Sequence, residues 1–371
     1  MSLAAARPLL TLTLLLAVTP ALAQDSAPRT ERVPAGPESA APATAPAESG
    51  GGNAASGGGE MPRRAAARAI RRGEVAYRPP QGERQVAEHF RLAPHRFSYQ
   101  EQPLPHVSDY LTIATVTFPS PVETELERNN TVHCEYYRPR TDKPVPAVVV
   151  LHILGGDFEL SRLFCNALAH HGVAALFLKM PYYGPRREPE SSRRMISSDP
   201  QETVEGMTQA VLDIRRAVAW LESRDEVDEQ RIGIFGISLG GITAALATTA
   251  EPRIRKACLV LAGGDLAQVA LDSPRLARER RAWEERGGTR QEFLDVIGKI
   301  DPVRYAENAR NRQILMLNAS RDEIIPKACT ESLWQALGRP EIVWYQGGHY
   351  SVALHLLNAI DRVTAFFQPS P

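Results

Sequence analysis

The chain has 371 residues, 43% of them hydrophobic, enough for one large domain or two ordinary ones. Its 43 Lys and Arg residues balance 43 Asp and Glu residues, so the formal net charge is zero. That balance excludes a dedicated nucleic-acid binder, which carries a basic excess. Four cysteines, Cys134, Cys165, Cys258 and Cys329, are far apart within apolar stretches. They read as buried free thiols, and the sequence chooses no pairing among them. No metal-ligand spacing such as H-E-x-x-H or paired C-x-x-C occurs in it.

At the start, Arg7 precedes an apolar run over 8–18, and the small residues Ala21 and Ala23 flank Leu22 just before Gln24. This is the pattern of a secretory signal peptide over 1–23. The run is shorter than the ~20 apolar residues of a membrane span. The chain is therefore expected to be exported, periplasmic or secreted, with no stable membrane span after cleavage. Residues 24–62 are Pro, Ala, Gly and Ser-rich with little to bury, and read as a disordered linker. Residues 63–104 open on Arg63, Arg64, Arg68, Arg71 and Arg72, and read as a basic, solvated, partly helical lead-in.

A catalytic domain is expected over 105–371. Residues 110–120 and 131–140 alternate and carry many β-branched and aromatic side chains, as strands do. Residues 146–153 and 173–180 are continuous apolar runs, expected of strands buried on both faces. Between them, 159–172 has helical spacing and ends at Gly172. Val204, Met207, Val211, Ile214, Val218 and Leu221 make one stripe of a long helix over 202–224. Further strands are expected over 231–236, 256–262, 313–319 and 341–346, with helices over 240–250 and 351–367. Strands alternating with helices give an α/β class, a mostly parallel sheet covered on both faces. A helical, charged insertion over 265–300 reads as a small cap over a cleft or, equally, as a solvated surface excursion.

Four glycines crowd one serine in "RIGIFGISLGGITAALATTA". Gly236-Ile237-Ser238-Leu239-Gly240 fits G-x-S-x-G between a buried strand and a small-residue helix. The serine backbone there is strained, and a Cβ on either flanking glycine would strike a neighbouring element. A serine is a poor nucleophile without a base, and the base needs an orienting acid. In such an elbow the chain order is Ser, acid, His. "ILMLNASRDEIIP" places Asp322 just after a strand, and "VWYQGGHYS" places His349 just after the last one. Both belong to the carboxyl rim of a parallel sheet, where sites gather. Glu323 is expected to point elsewhere, Asp265 is the second-choice acid, and His355 is expected to be packed or solvated. An acyl-transfer oxyanion needs two preorganised N–H donors. One is expected from Leu239. The other is expected from the loop "HILGGD", with Ile153 first and Leu154 next; His152 is the hinge and not a base.

These motifs, over roughly 110–367, resemble the alpha/beta-hydrolase superfamily, and in size the dienelactone hydrolase and acetyl xylan esterase branches. The resemblance implies an eight-stranded, mostly parallel sheet and a Ser-His-Asp esterase mechanism without cofactor or metal. "HILGG" departs from His-Gly-Gly-Gly, and "MPYYGPRR" departs from sugar-ester branches. Arg186 and Arg187 in the latter read as solvated, or else as greeting an anionic substrate group. The partner expected is a small-molecule ester. A serine peptidase of prolyl-oligopeptidase type is the second reading, although 24–109 is too short and polar for the propeller such enzymes carry. A binding protein on a hydrolase scaffold is the third; such proteins usually lose a triad member, and none is missing. Oligomeric state is not legible.

Overall fold

The central apolar run becomes the strand Val145–Leu151 (β5), every residue of which is buried. Its neighbours on the two sides are Ala174–Leu178 (β6) and Val227–Ile237 (β7), both parallel to it. Lys256–Val260 (β8), Gln313–Ala319 (β9) and Glu341–Tyr345 (β10) continue the parallel series beyond β7. Beyond β6 the sheet turns antiparallel through Thr131–Pro139 (β4), Leu111–Pro119 (β3), His95–Pro103 (β2) and Arg71–Tyr77 (β1). The order is β1-β2-β3-β4-β6-β5-β7-β8-β9-β10.

This computed structural model describes residues 69–105, 108–272 and 277–368. The signal-peptide and linker readings, and Arg63, Arg64 and Arg68, lie outside the described residues. Among them, no helix is long and apolar enough to cross a membrane.

The α/β class holds, but among the described residues the sheet has ten strands where eight were expected. The two extra strands come from the segment read as a solvated lead-in. In β1, Val75 and Tyr77 point inward while Arg71, Arg72 and Glu74 face solvent. Two buried side chains among charges make a weak strand pattern, and β1 forms because β2 pairs with it along its whole length. The connection between them is tied down by Arg215, which has no solvent exposure. Arg215 pairs with Glu83, donates to the Phe90 carbonyl and lies 3.3 Å from buried Glu251, which also holds Arg253 at 2.7 Å.

Helices cover both faces. Phe158–His170 (α1) starts on the side-chain cap of Asp157. Pro200–Glu222 (α2) starts on Asp199, with Pro200 at its first position, where the missing N–H costs no hydrogen bond. Leu239–Ala250 (α3) is buried at every residue. The insertion is helical as expected: Leu266–Asp272 (α4), Ala277–Glu285 (α5) and Arg290–Ile297 (α6), the last opened by a Thr289–Glu292 capping box. It packs α6 against α2, and Arg286 donates to the Ser198 carbonyl just before α2. The insertion thus docks on the body of the domain near the start of α2, at the carboxyl end of the sheet. Lys327–Ala336 (α7) follows Pro326, and Leu356–Phe367 (α8) closes the chain. The four cysteines are buried and are not disulfide-bonded to one another.

Candidate active site

The carboxyl ends of β5, β7, β9 and β10 carry Ser238, Asp322, His349 and the expected oxyanion donors, while Asp265 follows β8. Ser238 sits at the turn from β7 into α3 with φ 54° and ψ −117°, a conformation that side chains larger than glycine's rarely adopt. Three glycines make the turn possible. A Cβ on Gly236 would lie 2.2 Å from the Gly240 carbonyl oxygen. One on Gly240 would lie 2.6 Å from the His152 carbonyl oxygen, and one on Gly241 2.6 Å from that of Val260. These are backbone atoms that cannot step aside. The Ser238 N–H donates to the Val260 carbonyl at 2.8 Å, locking the elbow to β8. The first N–H groups of a helix lack partners inside it, so the start of α3 offers donors and a positive dipole end beside the Ser238 hydroxyl.

The acid and the histidine come together with the serine. Ser238 Oγ is 3.0 Å from His349 Nε2. His349 Nδ1 is 2.8 and 3.0 Å from the two Asp322 carboxylate oxygens. A carboxylate only accepts, so Nδ1 carries the proton and Nε2 is left to accept from the serine hydroxyl. Asp322 Oδ1 also accepts the N–H groups of Ile324 and Ile325, at 2.9 and 2.8 Å. These bonds fix the carboxylate independently of the imidazole. The Asp322 and His349 side chains are only 3% and 8% exposed, so their contact is largely shielded from water. Asp265 is not part of this set; it too has a positive φ, and its carbonyl accepts from Gln268 and Val269.

The expected oxyanion loop follows β5. Leu151 is in register with Gly236, and the Gly240 contact with His152 seats this loop against the elbow. Leu239 follows the serine directly, Ile153 lies in the loop that leaves the adjacent strand, and Leu154 is half exposed. Gly155 and Gly156 take φ 90° and 74°, which is why glycine occupies both. His152 is fully buried. Its Nε2 accepts the Met180 N–H at 3.1 Å, so its Nδ1–H donates to the Ile153 carbonyl at 2.8 Å. Burial holds its pKa down at about 4, so the ring is neutral and belongs to the scaffold. The Tyr183 ring packs edge-on against it at 4.6 Å.

Two expectations fail here. Arg186 is neither solvated nor turned to a substrate: it is fully buried and pairs with buried Asp213 at 2.8 Å. It also donates to the Asn129 and Lys179 carbonyls. Burial pushes the Asp213 carboxyl above its usual range although Arg186 pulls the other way. A sequence window shows an arginine beside a turn, but its partners are scattered along the chain. Glu323 does not point elsewhere: its Oε2 accepts the His349 backbone N–H at 2.8 Å. His355 is half-buried and stacks on Tyr345 at 4.8 Å. Among the described residues no cluster of His, Cys, Asp and Glu is arranged to hold a metal ion.

Comparison with known proteins gives two family matches. Residues 106–266 match the family described as alpha/beta hydrolase domain containing 18, and residues 206–358 match the prolyl oligopeptidase family. The chain belongs to the alpha/beta-hydrolase superfamily. An uncharacterized protein of Mycobacterium tuberculosis (strain ATCC 25618 / H37Rv) is 30% identical over 241 residues, covering 62% of this chain and 53% of that protein. The chain thus spans about half the length of that relative. Esterase YjfP of Escherichia coli (strain K12) is 24% identical over 237 residues, covering 61% of this chain and 90% of the esterase. Acetyl xylan esterase 1 from Thermoanaerobacterium sp. JW/SL YS485 superposes with a TM-score of 0.58 at 17% identity, covering 77% of this chain and 96% of that one. That likeness is one of fold. This alpha/beta-hydrolase carries its matched stretches from β3 to α8, and β1 and β2 lie before them.

Proposed function

We propose that this alpha/beta-hydrolase is an exported serine hydrolase that cleaves carboxylic esters of small molecules through an acyl-enzyme. The carrying observation is the continuous hydrogen-bonded line from Ser238 Oγ through His349 to Asp322 at a strained elbow. Ser238 attacks the carbonyl carbon while His349 Nε2 takes its proton. Asp322 holds the imidazole in the required tautomer and stabilises the imidazolium. The N–H of Leu239, with that of Ile153 or Leu154, receives the oxyanion. His349 then protonates the leaving alcohol, and water activated by the same nitrogen releases the acid. No cofactor enters this sequence of steps. Export is supported by the pattern over 1–23, and a mature chain starting at Gln24 is its expected mark.

The test is hydrolysis of p-nitrophenyl acetate, butyrate and palmitate by the chain from Gln24, beside Ser238→Ala and a fluorophosphonate probe. Wild-type turnover and labelling, both lost in the variant with at least a ~10⁴-fold fall in kcat, are expected. A folded wild type that neither turns over nor takes the probe overturns the reading in favour of a binding scaffold. The match of 206–358 to the prolyl oligopeptidase family favours peptide bonds as a second reading, since that stretch holds Ser238, Asp322 and His349. Turnover of peptidyl p-nitroanilides with inert esters would select it.

A further inference from the structure

The loop after β9 holds His349 in two places, and only one of them belongs to the usual acid. Asp322 takes the ring at Nδ1. The next residue, Glu323, takes the backbone: its Oε2 accepts the His349 N–H at 2.8 Å. A second observation, at a different residue, depends on the same contact. A Cβ on Gly348 would lie 2.2 Å from Glu323 Oε2. Gly348 lies outside the left-handed region, so its backbone accepts other residues. A side chain there would meet the carboxylate first and would have to push it aside, with the Arg321 carbonyl oxygen next at 3.3 Å. The same two loops are also joined by Arg321 N–H donating to the Gly347 carbonyl at 2.9 Å, and Ser351 Oγ accepts the Gly348 N–H at 2.8 Å. The histidine loop is thus built around a side chain that reaches in from the acid loop.

We propose that Glu323 is a positioning residue of the active site: it anchors the His349 backbone so that Nε2 meets the Ser238 hydroxyl, and Gly348 is the space it needs. This rests on the hydrolase reading above. An imidazole fixed at one ring nitrogen still pivots about that bond. Fixing its main chain as well removes the pivot, and small displacements of a general base are costly in rate. The role is geometric, so it needs an acceptor oxygen at that place and not a charge.

The experiment measures kcat and KM on p-nitrophenyl butyrate for Glu323→Ala, Glu323→Gln, Gly348→Ala and the double variant Glu323→Ala/Gly348→Ala, with thermal melts to confirm folding. Glu323→Ala is expected to lower kcat about ten-fold with KM within two-fold. Glu323→Gln, which keeps an acceptor oxygen, should retain a third or more of kcat. Gly348→Ala should reproduce Glu323→Ala, because the added methyl displaces the carboxylate. The double variant should be no worse than either single one, since both remove one contact. Folded Glu323→Ala with wild-type kcat overturns the proposal. So does a Gln variant as poor as the Ala variant, a loss confined to KM, or additive losses in the double variant. Absence of wild-type turnover and labelling would instead overturn the hydrolase reading itself.

Discussion

The two halves of the sheet do different work. From β5 to β10 the strands are parallel, and their carboxyl ends carry the elbow, the Asp322 loop, the His349 loop and the loop proposed to receive an oxyanion. From β1 to β4 they are antiparallel and carry none of these residues. Backbone strain divides the same way. Among the described residues, the non-glycine positive φ values fall at Tyr182, Ser238, Leu261, Asp265 and Arg339, all after β6. Parallel strands end at one common rim, so loops that leave it converge. An antiparallel meander sends its turns to alternating ends and gathers nothing. What the antiparallel half contributes is attachment, through buried charge. Glu135 of β4 shows it: burial alone would raise its carboxyl, but Arg162 and Lys179 outweigh that and hold it down at about 2.

This division can be broken by experiment. The largest effect is expected from Asp322→Asn. The amide offers the Nδ1 side a donor or forces the wrong tautomer, and kcat should fall about 10⁴-fold with the melting temperature little changed. Retention of kcat within ten-fold would remove the acid from the parallel rim. Next comes Arg215→Met, in the knot that fastens the β1–β2 connection. It leaves Glu83 and buried Glu251 short of a counter-charge, at a cost of about 3 kcal/mol. For a domain of this size that is a melting temperature lower by roughly 5–10 °C. The kcat of the folded fraction should stay within two-fold. A variant of unchanged stability but reduced kcat would reverse the assignment of roles.

The most gradual effect is that of acid. His152 is held at about 4 by burial, against 6.5 when exposed. Between those values the unfolded chain binds a proton that the native chain refuses, so stability rises with pH across the window. The contribution is complete above pH 6.5 and is lost as the pH falls towards 4, by about 3 kcal/mol at most. His133, also held down at about 4 by burial, acts in the same direction. Melts from pH 7.5 to 4.5 should show the decline, and His152→Gln should flatten part of it. A variant as acid-sensitive as the wild type would place the effect elsewhere.

How legible each part was depends on the range of its cause. The elbow could be read because three glycines and a serine lie within six residues, although two of the collisions that require them, at His152 and Val260, come from neighbouring strands. Asp322 and His349 could be read because each follows an apolar strand run closely. β1 could not, since its pattern is two inward side chains among charges and its stability comes from β2. Arg186 could not, since its burial is made acceptable by Asp213 and the Asn129 carbonyl, both far along the chain. Glu323 sits beside an expected residue and was still missed. Its signal is the pairing of a carboxylate with a missing Cβ at Gly348, and only the fold brings the two together.

The knot around Arg215 also decides where the chain can be cut. A fragment starting at 105, the boundary the sequence suggests, would retain the elbow, the acid and the histidine. It would lose Glu83 and the Phe90 carbonyl, leaving a buried guanidinium with two of its three hydrogen-bonding partners gone. It would also strip β2 from β3 and open the four-residue stretch Ala114–Thr117 to pairing with other copies. A minimal expressible domain therefore begins before Arg71, and residues 71–104 ahead of the candidate site are part of its folding unit.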